Sequence, residues 1–389
     1  MNRLRRASLA LATSAALATL LAACGGGGSG GADTTPRVAV TAVKVMGDSL
    51  ADVGTFGVKF TVQGNDIFPE RIATTYGLSK GCNFFVFTGT TFAANPRTGC
   101  TNYAIGGGVI NPASSSLTAA DPRGIGVQFA TATAAGNFAA GDLLVVDGGG
   151  NDAAALVGAY LNAPRDQGAS YVALLGTQLT QAQVGAAVSG GQSGLAAAGS
   201  TYMTALANTF ADMIRTRALD KGAQRIALLN MPGITNTPRF QLVLDSIAQA
   251  SGGGTAGAAA RAQSEALFKT WVEAFNARLA ERFAGESRVV VVDFYTAFND
   301  QIANPAQYGL TNVRAFTCPI TGQDSSGLPT VTWPTCTDTA LAASPPAGAT
   351  GGTNWYKTWA FSDSFHPTPY GHQLLAQLIS RSLATAGWL

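Results

Sequence analysis

Four segments of the chain run apolar and then break abruptly at small or turn-forming residues. "RVAVTAVKVMGDSL" (37–50) alternates, becomes continuously apolar and stops at Gly47-Asp48-Ser49. "DLLVVDGGGND" (142–152), "RIALLNMPG" (225–233) and "RVVVVDFY" (288–295) follow the same plan, and "TNYAIGGG" (101–108) is a shorter version. Runs of this length and content predict strands buried on both faces. Between them the periodicity turns helical. Ile67, Ile72 and Tyr76 keep helical spacing in "NDIFPERIATTYGL", with Asn65 or Asp66 as an N-cap. Longer helical stretches cover roughly 192–220 and 256–284, "DAAALVGAYL" follows the strand at 142, and a last helix begins at Tyr370-Gly371-His372. Strands separated by helices pair in parallel, so residues 37–389 read as a single α/β domain, a three-layer α/β/α sandwich around a central parallel sheet. In such folds ligands bind at the carboxyl ends of the strands. Three stretches read as insertions: 82–100, the Gly/Ala-rich 244–260 and the Gly/Pro/Thr-rich 317–354.

The first residues do not fit the sheet pattern. "MNRLRRASLALATSAALATLLAAC" has a basic head, an apolar run from Ala7 to Ala23 and small residues before Cys24, the layout of an export signal. The run is short for a bilayer span. "LAAC" resembles a bacterial lipobox, which makes 1–23 a lipoprotein-type signal peptide and Cys24 the lipidated residue. The Gly-rich 24–36 then reads as a flexible tether. The expected address is export, either as an outer-membrane lipoprotein or as a secreted protein. Formal charge is +2, and without Arg3, Arg5 and Arg6 the balance is 21 basic against 22 acidic residues. No basic field for nucleic acid exists, and no protein partner is implied. Four cysteines remain in two pairs of equal spacing, Cys82 with Cys100 and Cys318 with Cys336. Export favours disulfides, and local pairing, one of three possible connectivities, is the expectation.

The chemistry concentrates at the end of the chain. "WAFSDSFHPTPYGHQLL" (359–375) holds both histidines of the 389 residues, His366 and His372. An alcohol is a poor nucleophile until a base takes its proton, and Ser49 at the end of the first strand has a base of the right kind in His366. A carboxylate must hold the imidazole in the correct tautomer, and Asp363 lies three residues earlier. His372 has no carboxylate at that spacing and reads as the start of a helix. Asp48 reads as turn-shaping, and Asp52 and Asp152 as loop hydrogen-bonders or caps. Asn102 and Asp293 also read as structural. No Gly-Lys-Ser/Thr follows the glycine triplets, so they are not a P-loop, and "GIGVQF" (124–129) lacks the third glycine of a dinucleotide fingerprint.

"GDSLADVG", Gly106-Gly107-Gly108, Gly149-Gly150-Asn151-Asp152 and "DSFHPTPYGH", in this order, resemble the four sequence blocks of the SGNH/GDSL hydrolase family. "NPAQYGLTNV" (304–313) and "NMPGITNTP" (230–238) are similar to its larger bacterial lipase and esterase branch. The resemblance spans nearly the whole chain after the tether and implies a flavodoxin-like sandwich. It implies a Ser49–His366–Asp363 triad and an oxyanion hole made by the Ser49 N–H, the Asn151 carboxamide and a block-two glycine. Gly107 aligns best there, with Gly106 as the alternative. The implied activity is hydrolysis of a small-molecule or lipid ester with neither metal nor organic cofactor, on a membrane reached only through the lipid anchor. Apolar "FFVFTGTTFAA" (84–94) either lines an acyl pocket or packs beneath a disulfide loop. The competing functional readings are a carbohydrate acetylesterase and a non-catalytic surface lipoprotein that binds ligand on the same scaffold.

Overall fold

The computed structural model describes residues 39–389. The expected signal peptide, Cys24 and tether lie outside the described residues. The central sheet has four parallel strands, β1 (Ala42–Met46), β2 (Asp142–Val146), β3 (Ile226–Leu229) and β4 (Val289–Val292), side by side in sequence order. Met46 lies opposite Val146, Val146 opposite Leu228 and Leu228 opposite Val291, so the carboxyl ends finish nearly level. That common edge is where the chemistry of the chain collects.

The uninterrupted apolar runs are explained by burial on both faces. Met46, Leu144, Val146 and Leu228 pack into one core with α2 (Ile125–Ala132), α3 (Gly150–Asp166), α4 (Gly191–Arg217) and α6 (Gly254–Phe283). Val43, Val45, Leu143, Val145, Leu229 and Val292 pack into the other with α1 (Phe68–Thr75) and α8 (Pro369–Thr385). This is the three-layer sandwich expected from the pattern. Among the described residues no helix is long and apolar enough to cross a membrane.

Three local expectations change. The segment 101–108 is not a strand. It meets β1 in one bridge, Asn102 with Val45, where Val45 N donates to Thr101 O and Tyr103 N to Val45 O, before its glycines turn it away. Helix α1 is capped at Ile67 instead of Asn65 or Asp66, because the Glu70 carboxylate reaches back to accept the Ile67 N–H at 2.9 Å. The stretch 244–260 is no irregular insertion. It is the junction of α5 (Pro238–Ala250) with α6, since its alanines favour helix and its glycines fall at the turn.

The other two insertions are closed by disulfides, Cys82–Cys100 and Cys318–Cys336, in the local pairing expected. The first carries a hairpin of Phe85–Phe87 with Phe92–Ala94. The second carries a hairpin of Ile320–Gln323 with Pro329–Val331. It is stitched to the histidine segment, with Cys318 N donating to Ser362 O, and to the segment before α1, with Gln63 N donating to Cys336 O.

Candidate active site

The turn after β1 is fixed before any chemistry is added. The Gln128 side chain, buried on α2, donates to Gly47 O at 2.9 Å and accepts from Gly47 N at 2.8 Å. A Cβ on Gly47 would lie 1.6 Å from an Asp147 carboxylate oxygen, so any side chain there would have to displace the Asp147 carboxyl. Asp48 then accepts the Leu50 N–H at 2.9 Å, which rolls the chain over and sets Ser49 at the strand tip.

The histidine segment is an equally tight turn. Ser362 N donates to His366 O, and the Ser362 and Thr61 hydroxyls both donate to Pro367 O at 3.0 Å. Within it Asp363 accepts the backbone N–H groups of Phe365 and His366 at 2.8 and 2.6 Å. Thr368 caps the helix that follows by accepting from Gly371 N at 3.1 Å. The result is a relay: Ser49 Oγ lies 2.7 Å from His366 Nε2, and His366 Nδ1 lies 2.9 and 3.0 Å from the two Asp363 oxygens. Burial opposes ionisation of Asp363, but the imidazole and the two backbone N–H groups outweigh it and hold the carboxyl below its ordinary range. The imidazole is boxed in by Phe60 at 5.1 Å and by Trp333 and Phe365, each at 5.7 Å between ring centres.

Three N–H donors come from the turns that follow β1, residues 101–105 and β2. Gly107 sits exposed at φ +79°, a left-handed turn that glycine adopts freely, and its N–H makes no hydrogen bond among the described residues. The Gly106 N–H is already committed to Asp52 at 2.9 Å, so of the two glycines only Gly107 has a free donor. The Ser49 N–H is also uncommitted among the described residues. Asn151, near the start of α3, aims its amide at Gly108 O at 2.9 Å and Asp48 Oδ2 at 3.4 Å.

The remaining acidic residues and the second histidine hold loops in place. Asp52 accepts from Gly54, Thr55 and Gly106, tying the Ser49 turn to the glycine turn. Asp152 accepts from Ile110, Asn111 and Ser114, and burial raises its pKa to about 6. His372 is 1% exposed, lies over the Phe68 ring and accepts the Phe68 N–H at 3.4 Å, linking α8 to α1. Burial, followed by the charges of His366, Arg71 and Lys59, drives its pKa well down and keeps it neutral.

Three features escape a reading of the sequence. Gln128 carries a polar side chain into a buried helix face, which is the only signal it gives. Asp147 ends an apolar run and pairs with Asp48 beneath the nucleophile. Burial pushes both carboxyls up, and the Asp48 charge adds to the rise of Asp147. Last, a narrow pocket opens beside Ser49 and runs under the histidine segment, walled mostly by apolar residues such as Met231, Phe294, Phe298 and Leu374. No residue of 84–94 lines it. Much of that segment is exposed, and its Phe87 and Phe92 face a separate surface hollow with Phe56.

A hydroxyl, an imidazole and a carboxylate in line at the carboxyl edge of a parallel α/β sandwich define the class of the acyl hydrolases. Within that class the chain belongs to the GDSL-like Lipase/Acylhydrolase family, whose pattern it matches over residues 43–379. No curated protein gives a match to this chain.

Proposed function

We propose that the protein is a serine ester hydrolase acting through an acyl-enzyme. Ser49 Oγ attacks the ester carbonyl carbon while His366 Nε2 takes its proton, and Asp363 holds the Nδ1–H and steadies the imidazolium. The carbonyl oxygen becomes an oxyanion facing the N–H groups of Ser49 and Gly107 and the amide of Asn151. As the tetrahedral centre collapses, the bond to the alcohol oxygen breaks and His366 returns the proton to that oxygen. Water then enters, gives a proton to His366 and adds its oxygen to the acyl carbon. The Ser49 ester bond breaks, Ser49 recovers its proton and the carboxylic acid leaves. The scheme needs neither metal nor organic cofactor.

One observation carries this reading, the unbroken relay of 2.7 Å from Ser49 to His366 and 2.9 Å from His366 to Asp363. A fluorophosphonate probe tests it, because phosphonylation needs a serine activated by a base. The wild type should label at Ser49, and both Ser49→Ala and His366→Ala should lose the label. Undiminished labelling of Ser49→Ala would place the nucleophile elsewhere.

A further inference from the structure

The cavity beside Ser49 has one feature that an ordinary apolar pocket lacks. Gln301, on α7 (Phe294–Ala303), lines it and is 9% exposed, yet its carboxamide makes no hydrogen bond among the described residues. Its oxygen and nitrogen are not among the fully buried unpartnered side-chain atoms of the described residues, which are Asp147 Oδ1 and Thr317 Oγ1, so they keep accessible surface. Its neighbours along the cavity, Phe298, Ile302, Leu310, Phe361 and Leu374, offer no polar side chain. The other amide in the wall, Asn230, is engaged, donating to Asp293 at 3.0 Å and accepting from Tyr295 N at 2.8 Å. Gln301 is therefore the one wall amide left without a protein partner among the described residues.

Its place in the fold is remote from the chemistry. Ser49 follows β1 and α7 follows β4, and three strand spacings put those tips about 14 Å apart. Gln301 lies a further two helical turns along α7. Between the two ends the wall is mostly apolar, with Asp147, Asn230 and Thr237, which follow the middle strands, as its polar members. The alcohol half of an ester must escape before water can enter, whereas the acyl half stays bonded to Ser49 until the end. A cavity walled by core residues such as Leu229, Phe361 and Leu375 suits the half that stays.

Resting on the esterase reading above, we propose that this cavity is the acyl-chain site. It takes an acyl group with an apolar stem and a hydroxyl or carbonyl at its far end, which Gln301 receives. Gln301 is then a specificity residue, since a site built to hydrogen-bond one group disfavours the analogue that lacks it.

The test uses Ser49→Ala protein, which binds without turning over, titrated calorimetrically with methyl esters of butyric to dodecanoic acid and of their terminal-hydroxy counterparts. Methyl esters bring no charge next to Asp48. The hydroxylated ester should bind about tenfold more tightly than the plain one at the chain length that reaches Gln301. Adding Gln301→Leu should reverse that preference, and adding Ile302→Trp should remove binding of the longer chains, with thermal melts showing that both variants fold. Equal binding of plain and hydroxylated esters at every length would overturn the role of Gln301, and failure of any longer ester to bind would overturn the acyl site. If the esters bind as expected but folded wild-type protein hydrolyses none of them, the cavity assignment stands and the esterase reading falls.

Discussion

Asn151 shows how much a single side chain has to balance. Its amide now serves Gly108 O and Asp48 Oδ2, two acceptors that a substrate oxyanion must outbid. If it is an oxyanion donor, Asn151→Ala should lower kcat by roughly 10²–10³ with little change in KM, because the bond strengthens only in the transition state. Below it, Asp147 makes a prediction about stability. Its folded pKa lies above the unfolded value, so between the two the folded state holds a proton that the unfolded state has released. Stability therefore falls as pH rises through that window, by up to about 1.4 kcal/mol per pH unit. Asp147→Asn has no proton to lose, and its urea-unfolding free energy should gain on the wild type steadily from weakly acidic towards alkaline pH. A constant difference across pH would show that Asp147 ionises normally. His372 differs in kind. His372→Phe keeps a ring against Phe68 but strands the Phe68 N–H, which should cost about 1–2 kcal/mol in stability and leave kcat at the wild-type level.

At the scale of elements, the strands and long helices were legible because each obeys one period, continuous apolar for β2 and β3 and helical for α4 and α6. Legibility failed where tertiary partners decide. The segment 101–108 has strand composition but only one bridging residue's worth of partner, and α1 is capped by a glutamate inside the helix instead of an asparagine or aspartate before it. Which hollow the apolar segment 84–94 lines was not legible either, since apolar content says that a segment meets other apolar groups but not which; it lines the hollow with Phe56 and not the pocket at Ser49. The two disulfide loops differ in where they land. Cys318–Cys336 encloses Trp333, which stands edge-on to His366, while the Cys82–Cys100 hairpin touches Phe56 and not the imidazole. Each loop spans 18 residues, for which the chain-entropy argument gives roughly 3 kcal/mol. Replacing either pair by alanine should therefore lower the melting temperature by a similar amount. Only the Cys318/Cys336 pair should also lower kcat, by releasing Trp333 from the ring it helps to hold. Equal kinetic loss in both variants would mean that the loops act on the site through general stability alone.

For the whole molecule, the order of the blocks in the sequence told which strand tips meet, because parallel pairing brings successive carboxyl ends to one edge. Ser49, Gly107, Asn151, Asp363 and His366 come from far-separated positions, yet all fall within Ala39–Leu389, which forms one unit by its internal contacts. What the sequence could not convey was depth: the cavity wall is assembled from β3, α7, α8 and the histidine segment, and no one of these announces a pocket by itself. This division yields a prediction about the N-terminal segment. If Cys24 carries a lipid, the anchor and the chemistry are separate devices, joined by the Gly-rich sequence 24–36. A Gly-rich sequence of 13 residues that behaved as a random coil would reach on the order of 20 Å, enough to hold an enzyme at a membrane. Cys24→Ser should then move the protein from the membrane fraction to the soluble one and abolish metabolic labelling with palmitate. Its kcat/KM on a soluble ester should equal that of the wild type, and its rate on esters presented in vesicles should fall, because only the latter depends on being held at the surface. Membrane retention equal to the wild type would exclude Cys24 as the anchor, and a matching loss on soluble esters would show that the tether takes part in the site after all.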